Sequence, residues 1–284
     1  MMFNPNNPFD SFLVIPILNI LIGFYHLFQI LGVPGALGLS IILLTIITRL
    51  ILHPLTATQL KSTYKLNKLK PELDKIQSHF KDDKQKMHQE QMKLYQQAGI
   101  NPAAGCLPLL IQMPILIALY NLFRNILANG NLTQMVSEIN KPGVLYFPFL
   151  KINSLDLSFF GLNLAYKPID WQKFGWWLLL IPLITAALQY WQTKMMMPQS
   201  QKTDNLPAQV GQQQITEKNK EKKEEDMSAA MQKQMAIMMP LMIGYFAYTF
   251  PLGLSLYWNT FTVFAIIQQD YLNKKLNLEH EKNN

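Results

Sequence analysis

The sequence predicts an all-α integral membrane protein: a five-span helical bundle with a cytoplasmic helical hairpin. Three observations predict it. Apolar runs recur at about the twenty-residue length that crosses a ~30 Å hydrocarbon core. The lysines are segregated between alternate inter-span segments. One long polar stretch is built from strong helix formers. Of 284 residues 49% are hydrophobic, yet mean hydropathy is only +0.06, so very apolar and very polar segments alternate. Cys106 is the only cysteine, which excludes an internal disulfide.

The N-terminal segment, residues 1–35, carries an apolar stretch at 9–31. Asn19, His26 and Gln29 fall within one arc of a helix there, which fits a helix lying in the outer interface. No Lys or Arg precedes the stretch, which argues against a signal peptide. The interfacial reading is preferred over a sixth span. Gly32-Val33-Pro34-Gly35 then turns the chain into the membrane.

The first span is Ala36–Leu55, and Arg49 sits inside it. A charge at the centre of a span costs roughly 2.5–3.5 kcal/mol on insertion scales and marks function by default. A snorkelling end residue is the ordinary alternative, but Pro54 and Leu55 extend the apolar run past it. Residues 58–97 predict the hairpin, with arms Thr58–Phe80 and Asp83–Gln97 rich in Lys, Gln, Glu, Leu and Met. Asp82-Asp83 supplies the turn and an N-cap, and Gly99 the end. A thin apolar stripe and exposed charge make it either a plain connector or a docking arm. The candidate docking residues are Lys75, Phe80, Asp82, Asp83 and Met87.

The second span is Ala103–Leu127 and the third Phe174–Thr193, bracketed by Trp176, Trp177, Tyr190 and Trp191 as aromatic belts predict. Between them, 129–172 carries short apolar pieces broken by Pro and Gly, which predicts a packed cap. Residues 195–227 are dominated by Gln, Lys, Glu and Asn and predict a flexible loop. The fourth span, about Met231–Phe250, meets the fifth, about Leu252–Gln269, at a Phe250-Pro251-Leu252-Gly253 turn. Methionines around the third and fourth spans could adapt to varied apolar partners or simply fill space. Residues 276–284 form a tail. Lysines crowd the segments after the first and third spans and the C-terminus. The positive-inside rule therefore puts these in the cytoplasm, with the N-terminus and 129–172 outside.

Each span also carries polar groups. Thr45 and Thr48 share a face with Arg49, Gln112 is near mid-span, Thr185 and Gln189 share a face, and so do Asn259 and Thr262. Taken singly these need only interhelical hydrogen bonds. No Asp or Glu occurs in any span, however, so Arg49 has no carboxylate partner there. The group predicts a wet, positively charged cavity. The five histidines have no metal-ligand spacing, and no nucleophile elbow or phosphate loop is present. The chain is expected to be no enzyme and to use no cofactor or metal.

Three long runs carry a resemblance: RLILHPLTATQLKSTYKLNKLKPELDKIQ, DDKQKMHQEQMKLYQQAGINPAAGCLPLLIQMPILIALY and FPLGLSLYWNTFTVFAIIQQ. They resemble the YidC/Oxa/Alb family of membrane protein insertases over about residues 36–275. The resemblance implies five core spans around a groove open to cytoplasm and lipid but closed outside. Arg49 matches the positive residue that faces that groove, and Gln189 and Trp258 match groove positions. With Thr45, Gln112 and Asn259 they form the candidate client-binding set. The implied function is non-enzymatic insertion of client segments into the bilayer of a bacterial inner membrane, alone or with the Sec translocon. The implied partners are nascent membrane-protein clients and the lipid bilayer. The Sec translocon, ribosome or targeting factors are further candidates, and nucleic acid is not a direct partner. Against the family's pattern, the chain is expected to lack the extra N-terminal span and big periplasmic domain of the larger Gram-negative members and the lipoprotein signal common in Gram-positive relatives. Its short tail past Gln269 argues against a long basic ribosome-binding extension. A small-anion transporter using Arg49 is the alternative, though no inverted repeat is visible. A structural scaffold is a third class, and would tolerate loss of Arg49.

Overall fold

A computed structural model describes residues 3–81, 83–99, 113–121, 132–196, 234 and 237–281. Helix α1 (Ile15–Ile30) follows a wider π-helical turn over Asp10–Val14. Together they form the one continuous helix among the described residues long and apolar enough to cross a membrane. A turn with Gly32 at φ 65° and Gly35 at φ 78°, a region open to glycine without strain, reverses the chain into α2 (Ala36–Ile51). Helices α1 and α2 pack side by side.

The predicted first span does not run straight to Leu55. It breaks at Leu52, and α3 (His53–Lys68) leaves at 64°. Pro54 lies in the first turn of α3; it has no N–H to return to the preceding turn, and its ring crowds the carbonyl four residues back. Arg49 therefore lies in the last turn of α2 rather than near the middle of a span. The first hairpin arm is likewise two helices, α3 and α4 (Lys70–His79), divided at Leu69 with Pro71 in the first turn of α4. The return arm is α5 (Lys84–Gln97). The Asp83 carboxylate caps it by accepting the Lys86 N–H at 3.0 Å, and Gly99 ends it at φ 62°. None of α3, α4 or α5 contains a fully buried residue. Asp82, most of the second span and the 197–227 part of the flexible loop lie outside the described residues.

Residues 113–121, here α6, contribute buried Ala118 and Leu119. The segment expected to be a cap packs as one over residues 132–166. It contains α7 (Leu132–Ile139) and an antiparallel hairpin of β1 (Ser158–Phe159) and β2 (Leu162–Asn163), with Ser158 opposite Asn163. Met135, Ile139, Val144, Leu150, Ile152 and Leu164 join α1 and α2 in one core. Phe159 sits in a notch of α2 that only glycine permits, since a Cβ on Gly38 would lie 2.1 Å from its ring.

Helix α8 (Trp171–Phe174) and a 3-10 turn at Trp176–Leu179 lead into α9 (Leu180–Met196). Helix α10 (Ile237–Thr249) approaches α9 closely at Gly244, whose missing Cβ would meet that of Ala186 at 3.0 Å. Helix α11 (Leu252–Glu281) runs a further three turns past the predicted end at Gln269, through Lys, Leu and Glu, which favour helix. Its first free N–H groups are not left open: Leu252 and Gly253 donate to the carbonyls of Tyr166 and Leu164 at 2.8 Å. Helix α11 packs on α2, α3 and α9. Leu183 and Trp191 on α9, Met238, Leu241 and Tyr245 on α10, and Ile267 and Tyr271 on α11 are each more than half exposed. An apolar exterior of this extent suits lipid, not water.

Candidate functional site

The site is built along α11, on which α2 and α9 each pack. Two of these helices are tied by Arg49. Its Nη2 donates to the Phe261 carbonyl at 3.1 Å, and its guanidinium carbon lies 3.4 Å from the centroid of the Phe261 ring. The side chain is buried, at 7% exposure, and its Nε has no hydrogen-bond partner among the described residues. Sequence reasoning expected an unpaired guanidinium in a water-filled cavity. The structure instead covers it with an aromatic face and one backbone acceptor. A cation–π contact compensates lost hydration without a carboxylate.

Thr45 lies one turn before Arg49 on α2, with its hydroxyl donating back to Ile41 at 2.6 Å. Gln189 and Trp258 meet: the indole N–H donates to Gln189 Oε1 at 3.2 Å, joining α9 to α11. Asn259 is on α11, and its Oδ1 is buried without a partner, as are the hydroxyls of Ser255 and Thr262. Positions 255, 259 and 262 share one helical face, so α11 carries a row of unsatisfied polar groups on the helix that holds Arg49. Gln112 lies outside the described residues. Sequence reasoning missed Ser255, although its spacing to Asn259 and Thr262 was visible. It also missed Phe261, which shows no signal until its neighbour is known.

Below this row, the Gln268 amide donates to Thr56 Oγ1 at 2.7 Å and to His53 Nδ1, pinning the α2–α3 bend to α11. Gln269 donates to the Met195 carbonyl at 2.9 Å. The hairpin candidates stand apart from the site. Lys75 and Phe80 line an open hollow of about 550 Å³ with Ile76, Ser78 and His79. Asp83 is used as the α5 cap, and Met87 is half-buried. Within the hairpin, burial pushes the Tyr95 phenol above its ordinary range. Among the described residues no group of three His, Cys, Asp or Glu side chains could hold a metal.

The site thus offers a stored cation with no carboxylate partner among the described residues, adjoining helices that expose apolar surface. The family model described as 60Kd inner membrane protein matches residues 27–280.

The chain belongs to this family.

Curated relatives of this 60Kd inner membrane protein family member fall into two groups. Inner membrane ALBINO3-like protein 1, chloroplastic, of Chlamydomonas reinhardtii is 34% identical over 248 residues, covering 86% of this chain and 45% of the relative. Membrane protein insertase YidC of Fusobacterium nucleatum is 32% identical over 241 residues, covering 85% and 88%. YidC of Oceanobacillus iheyensis is 31% identical over 243 residues, covering 84% and 75%. The chain spans about half the length of the chloroplast relatives it matches. Among solved structures, a crystal structure of an active YidC insertase with its first transmembrane domain resolved matches with TM-score 0.50 at 26% identity. It covers 92% of this chain and 46% of that one. The mostly helical fold is shared with that protein.

Proposed function

We propose that this chain is a membrane protein insertase that moves client transmembrane segments from the cytoplasm into the bilayer. Arg49 carries the reading: a buried guanidinium stored on Phe261 without a carboxylate, beside a helix with unpartnered Ser255, Asn259 and Thr262. The insertase names of the bacterial relatives and of the solved structure support it.

In this reading five core spans surround a groove reached from the cytoplasm and from lipid. The N-terminal segment lies on the outer face and the C-terminus in the cytoplasm, as the lysine distribution supports. A client's hydrophilic segment is drawn to Arg49 and its polar groups meet the α11 row, which lowers the cost of carrying them into hydrocarbon. Thr45, Gln189, Trp258 and Asn259 line that path. The client's apolar segment passes into lipid against the exposed faces of α9, α10 and α11. Burial of that segment at ~25 cal/mol per Å² drives the step, so no nucleotide or catalytic group is needed. The hairpin receives clients or partners, the Sec translocon and targeting factors among them.

The test is insertion of a single-span client into liposomes holding only this protein, with Lys, Ala and Glu at position 49. A charge-assisted contact is worth ~1.5–3 kcal/mol, so Arg49→Ala is expected to slow a client with an acidic outer segment about ten- to a hundredfold. Arg49→Glu should do worse. Lys, which keeps a point charge, should retain most of the rate. Wild-type insertion of acidic clients by Arg49→Ala would remove Arg49 from the mechanism.

A further inference from the structure

We propose that Phe261 is a displaceable lid on Arg49, a positioning residue that keeps the charge masked until a client carboxylate competes for it. This rests on the reading of Arg49 as the group that attracts clients. Among the described residues, the guanidinium's hydrogen bond and its ring contact both come from this one residue: the ring lies 3.4 Å below the guanidinium carbon and the same residue's carbonyl accepts from Nη2. Nε is buried with no hydrogen-bond partner among those residues, so one position of α11 both covers the cation and accepts from it.

The choice of partner matters. An Asp or Glu in place of the ring would neutralise Arg49 permanently, and an incoming carboxylate could not displace it at low cost. An aromatic face holds a cation more weakly than a bidentate carboxylate does. The resting charge is therefore covered against lipid and small ions, yet released by a ligand that offers a better acceptor. Clients with acidic segments displace the ring; clients without them leave it closed. Phe261 thereby sets how strongly the site discriminates between the two.

The arginines of the sequence are Arg49 and Arg124, so an Arg124→Lys background leaves one guanidinium for chemistry. In proteoliposomes, the rate at which phenylglyoxal modifies Arg49 is followed by intact mass. Phe261→Leu and Phe261→Met are expected to raise it roughly 2- to 30-fold, the range a contact of this kind spans. Phe261→Trp, which restores a ring, should hold it at or below the wild-type rate. In parallel, the ratio of acidic-client to neutral-client insertion should rise in the Leu and Met variants and not in the Trp variant. Met is close to Phe in volume and replaces Leu if that variant does not fold. Unchanged modification in the ringless variants, or an equal rise with Trp, overturns the lid. That result would leave the role of Arg49 intact, whereas wild-type insertion by Arg49→Ala would sink that role and leave the ring contact standing.

Discussion

In the proposed topology, the outer end of the molecule, at the cap, and the inner end, at the α11 row beside Arg49, treat buried polar groups in opposite ways. At the cap, α1 commits its polar arc to residues 144–156. Asn19 donates to the Ile15 and Val144 carbonyls and accepts from the Tyr146 N–H, all at 2.8 Å. The Tyr25 hydroxyl accepts from the Asp156 N–H at 2.9 Å and from Gln29 at the same distance. The His26 Nε2 meets the Leu150 carbonyl at 3.1 Å. Asn140 pairs with both backbone groups of Ile152. At the inner end, Arg49 Nε, the Ser255 and Thr262 hydroxyls, Asn259 Oδ1 and Gln269 Oε1 are buried without a partner among the described residues. Buried polar groups normally pair, and each exception calls for an explanation. Among the described residues, one end closes its polar groups on itself, while the other leaves them open.

The largest break in this comparison should come from Asn19→Leu. It keeps the branching at Cγ but replaces the amide with methyl groups, leaving the Val144 carbonyl and Tyr146 N–H unsatisfied in the core. At ~1–3 kcal/mol for each of the two orphaned groups, the loss should reach about 2–6 kcal/mol, read as a lowered unfolding midpoint in detergent. A loss under about 1 kcal/mol would mean that the cap is held by apolar packing alone.

The opposite sign is expected in the inner row. Thr262→Val removes a buried hydroxyl that has no partner, at nearly constant shape. Stability should stay level or rise by about 1 kcal/mol, while insertion of polar-tailed clients falls. Should Thr262→Val destabilise as much as Asn19→Leu, the inner row is structural like the cap and the contrast disappears.

The contrast also marks what was readable in advance. The arc of Asn19, His26 and Gln29 was legible from helical spacing, but the headgroup water expected opposite it is replaced by residues 144–156. Partners more than a hundred positions away leave no trace in periodicity. Arg49 was legible as a charge in an apolar run without a carboxylate. Phe261 was not, because an aromatic in an apolar span is ordinary until its neighbour is known. The bends at Pro54 and Pro71 were printed in the sequence, and reading through them gave one long span and one long arm where there are two pieces each. Helix α11 was cut short at Gln269 because hydropathy falls there, although helix propensity does not. Gln189 was legible on a face with Thr185, while its groove role and Trp258 came from family resemblance; their hydrogen bond shows what that pair does locally.

The smallest expected effect lies in the hairpin, which belongs to neither end. Helices α3, α4 and α5 bury no residue completely; α3 is tied to the bundle by Gln268 at His53 and Thr56 and by Asn67, which donates to the Met196 carbonyl at 3.4 Å. Stability there should be local. Asp83→Ala removes the side-chain acceptor of the Lys86 N–H, a cap of the kind worth ~1 kcal/mol to the helix that follows. Amide exchange over 84–87 should therefore quicken by about fivefold, the equivalent of ~1 kcal/mol. The global unfolding midpoint should not move, because no core contact depends on that turn. A shift of the midpoint would show that hairpin and bundle unfold together, and would tie the docking arm mechanically to the Arg49 site.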